Sequence, residues 1–206
     1  MKNNLSFREF YKRRLPHIQI AGATYFITFR LANSLPREAL DKLAEEKQKI
    51  TRLPESLKES AHREWFAKYD DYLDKALHGN LYLNNKQIAD MVGESIQFRD
   101  GKKYDLIAYC IMLNHVHLIC TPLKKSDGTY FSLTEILHSL KRHTAREANK
   151  VLQRQDTFWQ DESYDHFIRD DAELERIVKY VLYNPVKAEL VEEQTDWKWT
   201  YCKYDI

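Results

Sequence analysis

Hydrophobic positions change their spacing several times along the chain, and each change predicts a different element. Residues 24–31, TYFITFRL, alternate with the two-residue period of a strand, placing Tyr25, Ile27 and Phe29 on one face and Phe26, partly buried, on the other. From 36 to 95 the spacing turns helical. LPREALDKLAEEKQKI opens with Pro36 near a helix start and sets Leu40, Leu43 and Ala44 at helical intervals. A second helix follows Pro54 through Trp65, Phe66, Tyr69, Tyr72, Leu73 and Leu77, and stops near Gly79 and Asn80. A third, shorter one is expected over 85–98, before the turn at Asp100 and Gly101.

From Tyr104 the texture changes again. YDLIAYCIM and LNHVHLICTP are short apolar runs joined tightly at Leu113 and Asn114 and closed by Pro122, which predicts two antiparallel strands. Residues 132–152 form an amphipathic helix capped by Ser132, with Glu135 as its capping-box partner. Residues 157–169 read as a loop and a strand, and Asp170 starts a last helix running to Leu190. The order is strand, helical insert, two strands, helix, strand, helix. It predicts an α+β fold: a ferredoxin-like antiparallel sheet with helices on one face, and a helical insertion at about 36–98 after the first strand. Residues 1–206 are expected to form one domain, since domains typically run roughly 100–200 residues.

Composition narrows the class without naming a partner. With 43% hydrophobic and 13% aromatic residues, and only 5 Gly and 5 Pro, the chain reads as globular rather than as a disordered tail. Its 32 Lys+Arg nearly cancel 31 Asp+Glu, so any nucleic-acid surface must come from local clustering. Cys110, Cys120 and Cys202 lack CxxC spacing, and two of them sit in apolar runs, which argues for a reducing compartment and against a cysteine metal site. MKNNLSFREFYKRRLPH has no apolar core of signal-peptide length, and no stretch approaches about 18 uninterrupted apolar residues. The expectation is a soluble, cytoplasmic protein with no membrane partner.

Two groupings could carry chemistry. His115 and His117 are two apart in an apolar strand, so both imidazoles project to one face, while Val116 points the other way. That pattern fits a metal pair, or a cross-strand polar patch on an exposed sheet face. On the last helix, at about 100° per residue, Leu174, Ile177, Val178, Val181 and Leu182 make the buried stripe. Tyr180 and Asn184, four apart, fall side by side at its border, and Tyr183 falls mid-way across the polar face. Taken alone, such a tyrosine is an ordinary packing residue. Pro185 should bend or tighten the helix at Asn184.

The string MLNHVHLIC, followed about sixty residues later by YVLYNPVKAELV, resembles the single-tyrosine transposases of insertion sequences. It is especially similar to their REP-associated relatives, which act on repeated extragenic palindromes. Those proteins carry a histidine–hydrophobic–histidine (HUH) strand and a nucleophilic tyrosine on a C-terminal helix, with a polar metal ligand four residues later. Further similarity runs through YKRRLPHIQ, GATYFITFRLA, ILHSLKRHTAREANK and FWQDESYDHFIRD. Two positions depart from the usual pattern: Leu113 stands where Pro is common, and Glu189 where Gly is common, which puts the ending of the last helix in question.

The resemblance implies a transposase or endonuclease that cuts and rejoins single-stranded or hairpin DNA. Tyr180 would be the nucleophile, forming a 5′-phosphotyrosine. His115, His117 and Asn184 would hold a divalent metal, Mg²⁺ or Mn²⁺. For phosphate contacts the candidates are Lys12, Arg13 and Arg14 in the N-terminal arm and Lys141, Arg142 and Arg146 on the basic helix, although a solvated charged face reads the same way. His143 and His166 are read as structural, and Trp65, Phe66 and Tyr69 as core rather than base-stacking platforms. Related enzymes work as a monomer or homodimer. Two other readings stay open: a domesticated DNA- or RNA-binding regulator that does not cut, and a replication initiator or relaxase, which often adds a helicase domain.

Overall fold

The structure, a computed structural model, describes residues 7–12, 16–76 and 78–204. Arg13, Arg14 and Leu77 lie outside the described residues, and Lys12 is described only as a backbone position. A hairpin of β1 (Phe7–Lys12) and β2 (Pro16–Ile20) precedes the strand expected first, which becomes β3 (Tyr25–Arg30). The insert supplies α1 (Arg37–Thr51), α2 (Glu55–Asp74) and α3 (Lys86–Gln97). Then come β4 (Tyr104–Ile111), β5 (His115–Pro122), α4 (Leu133–Val151), β6 (Tyr164–Phe167), α5 (Asp171–Lys187) and β7 (Thr200–Cys202). The main sheet runs β6-β3-β5-β4-β7 and is antiparallel throughout, so the α+β class and the antiparallel sheet match expectation.

The helices divide between the two faces of this sheet instead of sharing one. Tyr25, Ile27, Phe29, Val116, Leu118 and Cys120 pack with Ile88, Val92 and Ile96 of α3 and with Ile136 and Leu140 of α4. Phe26, Ala108, Cys110 and Ile119 pack against Val178, Val181 and Leu182 of α5 on the other face. The reason lies in the strands: β3 is buried at every position, which an alternating half-solvated strand would not be. A bulge between Leu106 and Ala108 reverses the parity of β4, so Leu106 and Tyr109 face the α3–α4 layer while Ala108 and Cys110 face α5.

The hairpin of α1 and α2 closes on its own apolar seam of Leu43, Ile50, Trp65, Tyr69 and Leu73, with the Trp65 indole N–H donating to the Leu43 carbonyl at 2.8 Å. Phe66 and Tyr164 join this seam to the α5 face, which sets α2 beside α5. The capping box at Ser132 and Glu135 forms in full. α5 stays helical through Pro185 and stops at Lys187, short of the expected Leu190. Its stop is a Schellman turn: the N–H of Leu190 donates to Pro185 and that of Glu189 to Val186, with Glu189 left-handed at φ 56°. Among the described residues, no helix is long and apolar enough to cross a membrane.

Candidate active site

β5 is the central strand, so its α5-facing side chains are covered by neighbours on both flanks. His115 and His117 are on that side, both fully buried, with their Nε2 atoms 3.1 Å apart. Each ring is held from behind. His115 Nδ1 lies 2.7 Å from Asn114 Oδ1, and His117 Nδ1 lies 2.8 Å from Thr28 Oγ1 on the paired position of β3. Phe26 stacks on the His117 ring at 5.5 Å between centroids. With Nδ1 of His115 donating to Asn114, its Nε2 keeps a lone pair facing the pocket. Burial, reinforced by His117, pushes His115 down to about 3, so it is neutral at pH 7.

α5 brings Tyr180 and Asn184 to the same place. The Tyr180 ring lies 5.7 Å from that of His117, and Asn184 is fully buried while Tyr183 points to solvent, as the helical angles require. Sequence reasoning missed the third contributor. Asp70 of α2 is fully buried between the two groups. Its Oδ1 lies 3.3 Å from His117 Nε2, and its Oδ2 accepts hydrogen bonds from the Tyr180 hydroxyl, Lys187 Nζ at 3.1 Å and Asn184 Nδ2 at 3.4 Å. Asp74, one turn on, sits 3.7 Å from His115 Nε2 and 2.7 Å from Lys187 Nζ. The available signal was a pair of acids at i and i+4 continuing the ridge of Phe66 beside the apolar stripe of α2.

Electrostatics follow from this crowding. Burial is the strongest single influence on Asp70 and opposes its charge, but His117 and the other hydrogen-bonding neighbours together hold it below the usual carboxylate range. Asp74 goes the other way, to about 6, through burial and the charge of Asp70, against Lys187. Tyr180 is raised well above an ordinary phenol by burial and then by Asp70, so it is protonated at neutral pH.

Asp70, His115 and His117 could hold a metal ion: one donor atom from each falls within 4.8 Å of the others. The side chains present fit such a group on two counts. Two imidazole nitrogens lie beside the carboxylates of Asp70 and Asp74, with the Asn184 amide against Asp70, a donor set suited to a divalent cation. Furthermore, Asp70 Oδ1 and Asn184 Oδ1 are buried without a hydrogen-bond partner, as is Asp74 Oδ1. Buried oxygens are rarely left so unless something else satisfies them.

The basic residues of α4 are not gathered here. α4 covers the opposite face of the sheet from the histidines. Lys141 uses its ammonium on the carbonyls of Gln160 and Asp161 and the hydroxyl of Ser163. Arg146 pairs with Glu147, and Arg142 is exposed. His166 pairs with Glu173 rather than joining the site.

The family profile described as "Transposase IS200 like" matches residues 82–184, half of the chain, a span that includes His115, His117, Tyr180 and Asn184. The chain belongs to this family. It is 32% identical over 110 residues to a putative REP-associated tyrosine transposase of Haemophilus influenzae, covering 50% of this chain and 61% of that one. Over 111 residues it is 23% identical to a REP-associated tyrosine transposase of Escherichia coli, covering 54% of this chain and 62% of that one. The matches thus span about three-fifths of these relatives' length. A solved structure of a REP-associated tyrosine transposase bound to a REP hairpin shares the fold, with TM-score 0.54 and 18% identity over 94% of this chain and 82% of its own.

Proposed function

We propose that this IS200-like family member is a single-tyrosine DNA-nicking and strand-transferring enzyme acting on hairpin-forming, repeated palindromic DNA in the cytoplasm. The observation that carries this reading is the convergence around one buried carboxylate, Asp70, of the Tyr180 phenol, the Asn184 amide and the His117 imidazole, with His115 against His117. The relatives' names and the hairpin-bound structure support the choice of substrate.

In this role Tyr180 is the nucleophile. Its oxygen forms a bond to phosphorus as the bond from phosphorus to the 3′-oxygen breaks, leaving a 5′-phosphotyrosine and a free 3′-hydroxyl. The phenol starts protonated, so its proton must leave as the bond forms, and a proton must reach the departing 3′-oxygen. Asp70 Oδ2 already accepts the hydrogen of that hydroxyl and fixes where it points. Because the phosphotyrosine retains the energy of the broken ester, rejoining needs no nucleotide cofactor. His115, His117 and Asn184 would hold a divalent cation, Mg²⁺ or Mn²⁺, whose contribution when bound is to polarise a non-bridging phosphate oxygen.

The test is to incubate labelled hairpin DNA and Mg²⁺ or Mn²⁺ with the wild type and with Tyr180→Phe. A covalent protein–DNA species should form with the first and be absent with the second. Equal cutting by both proteins removes Tyr180 from the nucleophile's role. Tight binding by both with no cutting by either would replace the enzyme by a binding module.

A further inference from the structure

The ligands carried over by the resemblance, two imidazoles and an amide, are all uncharged. A divalent cation held by them alone would place two positive charges in a site whose imidazoles and amide are fully buried. Desolvating an unbalanced charge is costly, and such a site would depend on the incoming phosphate to neutralise the ion. This chain has a different balance, and the helical insertion provides it.

Resting on the function proposed above, we infer that α2 is part of the metal centre: Asp70 is an anionic ligand of the ion, and its presence lets the site bind the ion before any DNA arrives. Four observations converge on Asp70. Its side chain is wholly buried, so the carboxylate is there to be satisfied from within. Its two oxygens face different groups: Oδ2 is taken up by Tyr180, Lys187 and Asn184 Nδ2, whereas Oδ1 has no hydrogen-bond partner and lies 3.3 Å from His117 Nε2. Asn184 presents the same asymmetry, with its Nδ2 turned to Asp70 and its Oδ1 left over. Finally, the donor atoms of Asp70, His115 and His117 already fall within one ion's reach of each other.

Asp74 and Lys187 complete the balance. Lys187 bridges the two carboxylates, at 3.1 Å from Asp70 and 2.7 Å from Asp74. With both acids ionised and the lysine charged, the protein groups sum to a single negative charge, and a divalent ion brings the site to a single positive one. That is the complement of one phosphodiester. Asp74 Oδ1, 3.7 Å from His115 Nε2, stands outside the tightest donor group, and its part is to hold Lys187 and the field rather than to ligate.

The experiment is Mn²⁺ binding to the full chain without DNA, read by loss of the free-ion electron paramagnetic resonance signal and by calorimetry. The wild type should bind one Mn²⁺ per chain. Asp70→Asn keeps the shape and removes the charge, and should weaken binding at least about tenfold, since even partners one shell further out are worth about 10–100-fold. Asp70→Glu should recover part of the loss, and Tyr183→Phe, on the exposed side of α5, should leave affinity within about twofold, an ordinary spread for a surface residue. Circular dichroism identifies any variant that has not folded, in which case Asp70→Glu carries the comparison, with a measurable shift in affinity as its expected result. No DNA-free binding by the wild type, or unaltered affinity in folded Asp70→Asn, overturns the inference. His115→Ala separates the two claims. If it abolishes binding while Asp70→Asn is silent, only the role of the insert fails; if it too is silent, the metal site of the proposed function fails with it.

Discussion

Replacing Thr28 by Val tests whether the scaffold behind the histidines sets the chemistry in front of them. Thr28 and His117 are both fully buried and joined by one contact, Oγ1 to Nδ1 at 2.8 Å. Valine has nearly the same outline but offers no acceptor, so His117 Nδ1 would lose its only side-chain partner on β3. A buried hydrogen bond contributes about 1 kcal/mol net, and stranding its partner costs about 1–3 kcal/mol. Unfolding entropy near 2.1 cal/mol/K per residue, taken over 206 residues, converts about 1–3 kcal/mol into a fall in Tm of roughly 2–7 °C. The larger effect is expected on the ion. Without Thr28 the ring no longer has a fixed tautomer, and Mn²⁺ affinity should drop about 10–100-fold. Thermal unfolding in EDTA reads the first quantity and Mn²⁺ calorimetry the second, with Thr28→Ser as the control that restores the hydroxyl. If the folded Val variant binds Mn²⁺ as the wild type does, the reasoning is refuted, and the Phe26 stack at 5.5 Å is sufficient to orient the ring.

Two further outcomes concern the helix that carries Tyr180 and Asn184. Glu189→Gly should raise the urea midpoint by the equivalent of up to about 1 kcal/mol, because an L-residue in the left-handed region costs about 1–2 kcal/mol and glycine returns part of that as chain entropy; a lowered midpoint would contradict the Schellman geometry. Glu173→Gln should flatten the acid side of the stability curve. Burial weighs most on Glu173 and raises its pKa, but the Arg169 N–H and His166 together outweigh it and leave the folded pKa lowered. The stabilisation of this carboxylate is therefore present above the ordinary carboxylate range and is lost as pH falls through the lowered value. Identical acid-side slopes for the two proteins in urea titrations would count against it.

How much of this was readable in one dimension depended on whether the signal was local. The two-residue spacing of His115 and His117 and the helical angle between Tyr180 and Asn184 are properties of short segments, and the structure brings those four side chains together. Asp70 is a different case. The stripe of Trp65, Tyr69 and Leu73 fully accounts for α2 as a helix, and nothing within α2 says that its next ridge meets a strand some forty residues on. The division of helices between two faces is not written in β3, where one parity carries Tyr25, Ile27 and Phe29 and the other Phe26 with the polar Thr28 and Arg30, all of them buried. β7 pairs through only three residues, Thr200 to Cys202, too few to show a period. In the β1–β2 hairpin, charged residues interrupt the alternation, as in FREFYK. Glu189 departs from a position where glycine is common, and its positive φ supplies the physical reason.

The covering of the site by α2 sets a condition on turnover. His115, His117, Asp70 and Asn184 are fully buried, and Phe26 and Phe66 pack edge-on against the Tyr180 ring. Of the side chains gathered there, Tyr180 and Lys187 keep part of their surface open, so under the proposed function a phosphate would approach along them. On the far side, an ion pair between Glu59 and Arg169 ties α2 to the segment just before α5. Under the proposed function, so narrow an approach makes entry a step of its own, and strand choice would be exercised there before the phenol meets phosphorus.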